Sequence, residues 1–115
     1  IIQKILVKAL DFFLEGRFGI ISSYKKGLSK IEKMERHNSL CMEIENMGFG
    51  YVPIIVRWDK LPRHSIFVIG ISKEKIKDLA LKYEQERYLW GQNNNWAIYE
   101  TLTDKELKKV SHKSI

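Results

Sequence analysis

Apolar residues open the chain at helical spacing, as Ile2, Ile5, Leu6, Ala9, Leu10 and Phe13. Steps of three and four place them on one face and predict an N-terminal helix that Gly16 ends. The pattern then changes. Phe18 to Tyr24 (FGIISSY) is rich in residues that favour extended backbone and predicts a first strand. Ser29 and Glu32 stand at capping-box spacing, the serine hydroxyl serving the glutamate amide and the glutamate reaching back. The helix they open carries Ile31, Met34, Cys41, Ile44 and Met47 roughly on one face, and Gly48 is its stop. Tyr51 to Trp58 predicts a second strand, which Pro53 assigns to an edge or to a position whose N–H is not needed. Asp59 to Pro62 predicts a turn, and Ser65 to Ile69 a third strand apolar enough to be central. Ser72 caps a further helix with Ile71 and Ile76 as its staple, and Ile76, Leu79, Ala80 and Tyr83 as its buried stripe. Tyr88–Trp90 and Trp96–Thr101 predict a hairpin around Gly91–Asn95. Thr103 to Glu106 repeats the capping-box spacing and predicts a short basic helix.

The expected order is therefore α-β-α-β-β-α-β-β-α. Its middle, β-α-β-β-α-β, is the split βαβ arrangement of ferredoxin-like folds. The expectation is an α+β single domain: an antiparallel sheet with two helices on one face and an additional helix at each end. Residues 1–16 form the N-terminal helix, 17–101 the core and 102–115 the basic C-terminal helix or tail. A chain of 115 residues suits one hydrophobic core.

Charge adds a candidate partner. The net charge is +6 and the pI about 9.4, which favours anionic partners such as nucleic acid. Lys and Glu are interleaved along the helices, however, and interleaving also describes a solvated helical face. Lys25, Lys26, Lys30 and Lys33 follow the first strand, and Lys105, Lys108, Lys109 and Lys113 close the chain. With Arg57 and Arg63 these can hold phosphates, contacts that carry affinity without sequence information. Tyr51, Phe67, Tyr88 and Trp90 offer rings for base stacking. RNA-recognition domains share the β-α-β-β-α-β order. Arg63, Phe67 and Val68 match their third-strand motif, while its glycine and its first aromatic are absent.

Other chemistry narrows the field. Cys41 is the single cysteine, so an internal disulfide and a Cys-rich zinc site are excluded, and a reducing, cytoplasmic setting fits. No apolar run approaches the ~20 residues of a membrane span. His37 and Cys41 lie one helical turn apart, but two ligands do not make a site, and neither metal nor cofactor is expected. His64 and Ser65 are neighbours on a strand and point to opposite faces, so His64 does not serve Ser65 as a base. They read as the polar lip of a central strand. Gly70-Ile71-Ser72-Lys73 reads as a helix cap rather than a phosphate loop. No catalytic residue is assigned, and an enzyme would need Arg36, His64, Ser65 or Gln85 to converge in a pocket.

Residues 18 to 91 carry a further pattern. Ile20-Ile21-Ser22-Ser23-Tyr24 ends a strand in small residues and an aromatic. Glu32 and Arg36 follow on a helix, Arg63 to Gly70 forms a Ser-apolar strand, and Tyr83-Glu84-Gln85 precedes Tyr88-Leu89-Trp90. In these features the chain resembles an uncharacterised domain-of-unknown-function family of small bacterial and phage proteins. It departs from that family at Arg63-His64, where an acidic residue is usual, and at Glu84, where Gly is usual. The resemblance implies a compact α+β domain whose polar matches are Glu32, Arg36, Ser65 and Gln85. Two readings of those four stay open: a pocket in which Arg36 grips a carboxylate or phosphate, or a network that ties helices to sheet.

The resulting expectation is a small basic intracellular binding protein, non-catalytic, that contacts nucleic acid or a nucleic-acid-associated complex. Lys25, Lys26, Lys30, Arg57, Arg63, Lys108 and Lys109 would meet phosphates, and Tyr88 and Trp90 would stack. The alternative is a protein-inhibitor or assembly module of phage or mobile-element type, using the apolar face of the N-terminal helix with its Phe12-Phe13 edge.

Overall fold

Ser22 shows how local chemistry ends a strand here. Its hydroxyl donates to the His64 carbonyl at 3.1 Å and accepts the Tyr24 N–H at 3.0 Å, which turns the chain out of the sheet two residues earlier than expected. The computed structural model describes residues 16–58, 61–93 and 95–110. Within them the order is β1 (Arg17–Ser22), α1 (Lys30–Asn46), β2 (Tyr51–Trp58), β3 (Leu61–Ile69), α2 (Lys73–Lys82), β4 (Arg87–Gln92), β5 (Asn95–Glu100) and β6 (Glu106–Val110). The fold is α+β. The six strands form one antiparallel sheet in the order β2-β3-β1-β4-β5-β6. The expected N-terminal helix lies outside the described residues.

Both helices begin at the serines read as caps. The Ser29 side chain accepts from Glu32 N–H while Glu32 reaches back to Ser29 N–H, and Ser72 accepts from Lys75 N–H. Gly48 at φ +85° ends α1, a backbone that Gly enters without penalty. Both helices pack on the same face of the sheet. Leu40 and Ile44 of α1 join Ile76, Leu79 and Ala80 of α2 over Ile21, Ile66 and Val68. Alternation along the strands sends Phe18, Ile20, Phe67, Leu89 and Trp96 to the opposite face. There the Phe18 ring stacks on Phe67 at 5.0 Å and meets Trp96 edge-on at 4.8 Å. Gly91 leaves room for this: a Cβ on it would stand 2.7 Å from Trp96 Cδ1.

Three expectations need correction. The capping-box spacing at Thr103 does not open a helix. Asp104 takes φ +61°, incompatible with a first helical turn, and the Thr103 hydroxyl instead donates to Glu100 and accepts from Lys105 N–H. Residues 106 to 110 then pair with β5, so ladder hydrogen bonds override local helix propensity. The stripe expected on α1 is also displaced. Ile44 is buried with Leu40, while Ile31 and Met34 are 69% and 58% exposed. The first half of α1 lies past the end of β1, beyond the central strands that would have covered it. Finally, β3 starts at Leu61, four residues early, and its Pro62 pairs with Arg57. Proline is tolerated because β1 pairs with β3 only from Ser65 onward, so this stretch of β3 has β2 as its one neighbour. Pro53 sits, as expected, on an edge strand, β2.

The mismatch in strand length shapes the molecule. β1 ends at Ser22, opposite Ser65, while β2 and β3 continue for four more pairs, from Ile55–His64 to Trp58–Leu61. A two-stranded arm therefore projects past the end of β1, alongside the first turns of α1.

Candidate functional site

The projecting arm, the β1–α1 loop, the start of α1 and the α2–β4 loop meet at one end of the sheet. Main-chain carbonyls in these loops are tied down by two side chains. Arg36 Nε donates to the Ser23 carbonyl at 2.9 Å and its Nη2 donates to the Tyr83 carbonyl. Gln85 Nε2 donates to the carbonyls of Tyr24 and Tyr83, both at 2.9 Å. Arg36 thereby joins α1 to the end of β1 and to the end of α2, and Gln85 closes the same knot from the other side. The Tyr83 hydroxyl donates to Glu43, and burial together with that carboxylate pushes it up to about 12.

Above this knot lies a basic surface. Tyr24 carries the Arg63 guanidinium over its ring at 4.0 Å and the Lys33 ammonium at 5.3 Å. The Tyr24–Arg63 pair stands between two adjoining cavities and lines both. The smaller, about 330 Å³, is walled by Lys25, Lys26, Arg87 and the carboxylates Glu84 and Glu86. Lys25 pairs with Glu84 at 2.9 Å, and this contact holds the Glu84 carboxyl below its ordinary range. The larger, about 630 Å³, lies between α1 and the arm, with Lys30, Lys33, Met34 and His37 on one side and Leu61, Pro62 and His64 on the other. His37 and His64 approach to 6.0 Å between ring centres. Burial, and then repulsion by His64, lowers the His37 pKa and so favours the neutral ring; its buried Nδ1 has no hydrogen-bond partner.

Of the residues singled out from sequence, Lys25, Lys26, Lys30 and Arg63 are brought together here. Arg57 lies on the arm, exposed and outside both cavities. Lys108 and Lys109 lie on β6, at the far edge of the sheet, three strands from β1. The stacking role expected of Tyr88 and Trp90 does not fit their positions. Both point to the helix-covered face. Tyr88 is fully buried with its hydroxyl donating to Asp104, and Trp90 Nε1 donates to the Ile71 carbonyl at 2.9 Å. Phe67, expected beside them, is buried on the opposite face.

The polar set is divided. Arg36 and Gln85 share the Tyr83 carbonyl, whereas Glu32 serves the α1 cap. Ser65 is buried, donates to the Arg63 carbonyl at 3.2 Å, and points away from the face of His64. The pair therefore has no nucleophile–base geometry. Burial raises the Cys41 pKa, keeping the thiol protonated. Among the described residues no three His, Cys, Asp or Glu side chains gather as a metal site, and no helix is long and apolar enough to cross a membrane. The Phe12-Phe13 edge lies outside the described residues.

Sequence reasoning missed Arg87 and the wall formed by Met34 and Leu61. Arg87 has no basic neighbour in the sequence, and only the pairing of β4 with β1 brings it to this end. Met34, expected in the core, is exposed because it stands in the first turns of α1, facing the arm. No family model and no curated protein matches the chain.

Proposed function

We propose that this protein is a non-catalytic, intracellular binding domain that holds the phosphates of a nucleic acid at this end of its sheet. One observation carries the reading. Six cations from four parts of the chain, Lys25, Lys26, Lys30, Lys33, Arg63 and Arg87, line two adjoining cavities against two carboxylates, Glu84 and Glu86. Bringing Arg63 and Arg87 up to four lysines of the β1–α1 region gathers more cations than the two carboxylates balance, and this excess favours an anionic ligand. Phosphodiesters suit them, since Arg offers paired donors and Lys a mobile charge. The knot of Arg36 and Gln85 supports the site by fixing the loops that carry Tyr24 and Lys25. We further read β1-α1-β2-β3-α2-β4, with its strand order β2-β3-β1-β4, as a split βαβ core of ferredoxin-like type extended by β5 and β6.

The test is fluorescence polarisation with labelled single-stranded RNA, single-stranded DNA and duplex DNA at roughly 50 and 200 mM salt. Four phosphate contacts on a single strand predict a loss of affinity of about 50-fold between those salts. Absence of binding to all three at the lower salt would overturn the reading.

A further inference from the structure

We infer that the larger cavity is a base pocket, so that the protein takes single-stranded nucleic acid with one unpaired base seated between α1 and the β2–β3 arm. This rests on the nucleic-acid reading above and names the form of the ligand. Phosphate alone does not account for the cavity. At about 630 Å³ it falls in the size range of small-molecule sites and exceeds the needs of a single anion. Its walls are mixed. Met34 from α1 and Leu61 and Pro62 from β3 are apolar, and Met34 and Leu61 are each 58% exposed. Lys30, Lys33 and Arg63 bring positive charge to the same space.

A nucleotide has this pattern in reverse: a flat, weakly solvated base joined to an anion. Thioether and aliphatic groups pack on aromatic faces, which gives Met34 and Leu61 a ligand surface to cover. His37 adds a polar group. His64, exposed on the facing wall with its ring centre 6.0 Å away, adds a second, and an imidazole suits the hydrogen-bonding edge of a base. The smaller cavity gives the strand somewhere to continue. It shares Tyr24 and Arg63 with the larger one and adds Lys25, Lys26 and Arg87 for the next phosphates. A duplex keeps its base faces stacked and cannot fill a slot between a helix and a hairpin arm.

The experiment compares, by fluorescence polarisation at low salt, a labelled oligothymidine, an abasic oligonucleotide of the same length and a duplex. Each is measured with the parent protein and with the Met34→Ala, Leu61→Ala double variant. Both side chains are exposed, so the fold tolerates their loss. The expected result is about tenfold tighter binding of oligothymidine than of the abasic strand by the parent, lost in the variant, with duplex binding unchanged between the two proteins. Equal binding of all three nucleic acids by the parent overturns the base pocket while leaving phosphate binding intact. Absence of binding to any of them overturns both readings. An acidic, leucine-containing peptide that displaces oligothymidine at equal concentration overturns the pocket in favour of a protein ligand.

Discussion

Replacing Arg36 by Ala removes two hydrogen bonds at once, the Nε donation to Ser23 and the Nη2 donation to Tyr83. Bonds from a charged donor contribute about 1.5–3 kcal/mol each, and the half-buried setting points to the lower end, giving a loss of about 3 kcal/mol. In urea, a slope of roughly 1.5 kcal/mol per molar turns this into a midpoint shift of about 2 M. On heating, the same loss lowers Tm by roughly 10 °C for a domain of this size. Arg36→Lys keeps the charge but has no planar fork to bridge both carbonyls, and it should recover at most half of the loss. Urea unfolding followed by tryptophan fluorescence measures both variants. If Arg36→Ala unfolds within about 0.5 kcal/mol of the parent, the knot is not structural. If oligonucleotide binding disappears at that unchanged stability, Arg36 is a ligand contact instead.

Three other perturbations report on other regions. Gly91→Ala places a Cβ 2.7 Å from Trp96 and 2.9 Å from the Phe18 ring; overpacking of this kind should cost about 1–3 kcal/mol in the same urea assay, and a neutral outcome would show that the rings separate freely. Tyr88→Phe removes the bond to Asp104, should cost about 1–2 kcal/mol, and should also flatten the acid limb of a stability–pH curve. That carboxyl is held below its ordinary value of 3.8, first by the Tyr88 hydroxyl, so its contribution is full above that pH and disappears as pH falls through the folded value. His37 acts at higher pH: its folded pKa lies below 6.5, the unfolded chain takes up the proton first, and stability should decline as pH drops below 6.5. His64, Lys30, Lys33 and Arg63 share the cavity with it, and His37→Gln should remove that decline in thermal scans from pH 7.5 to 5.5.

Much of the core was legible because its signals are local. Ser29 with Glu32, and Ser72 with the Ile71–Ile76 staple, mark helix starts through contacts a few residues long, and the runs at 18–24, 51–58 and 65–69 mark strands. What failed depended on partners distant in sequence. Alternation along Tyr88-Leu89-Trp90 separates two faces but does not say which one receives the helices, so rings expected to meet a ligand lie under α1 and α2. Thr103 to Glu106 satisfies a capping pattern locally, yet its partner is β5. The site was half visible. Lys25, Lys26, Lys30 and Arg63 stand out as charge, but their relation to Tyr24, Arg87 and the wall of Met34 and Leu61 follows from β1 stopping at Ser22 while the arm continues. That is a difference in strand length, and composition does not encode it.

The two outer strands set a rule for what this sheet will accept beside it. β2 lacks a donor at Pro53, so an incoming strand meets an interrupted ladder there. β6 carries Lys108 and Lys109, exposed and paired inward with Ile98 and Ala97. A second copy of β6 docked edge to edge would bring lysine toward lysine. Both outer strands of the described sheet thus resist a second copy, and the strand best suited to extend it at β6 is a foreign one bearing Asp or Glu in register with that pair.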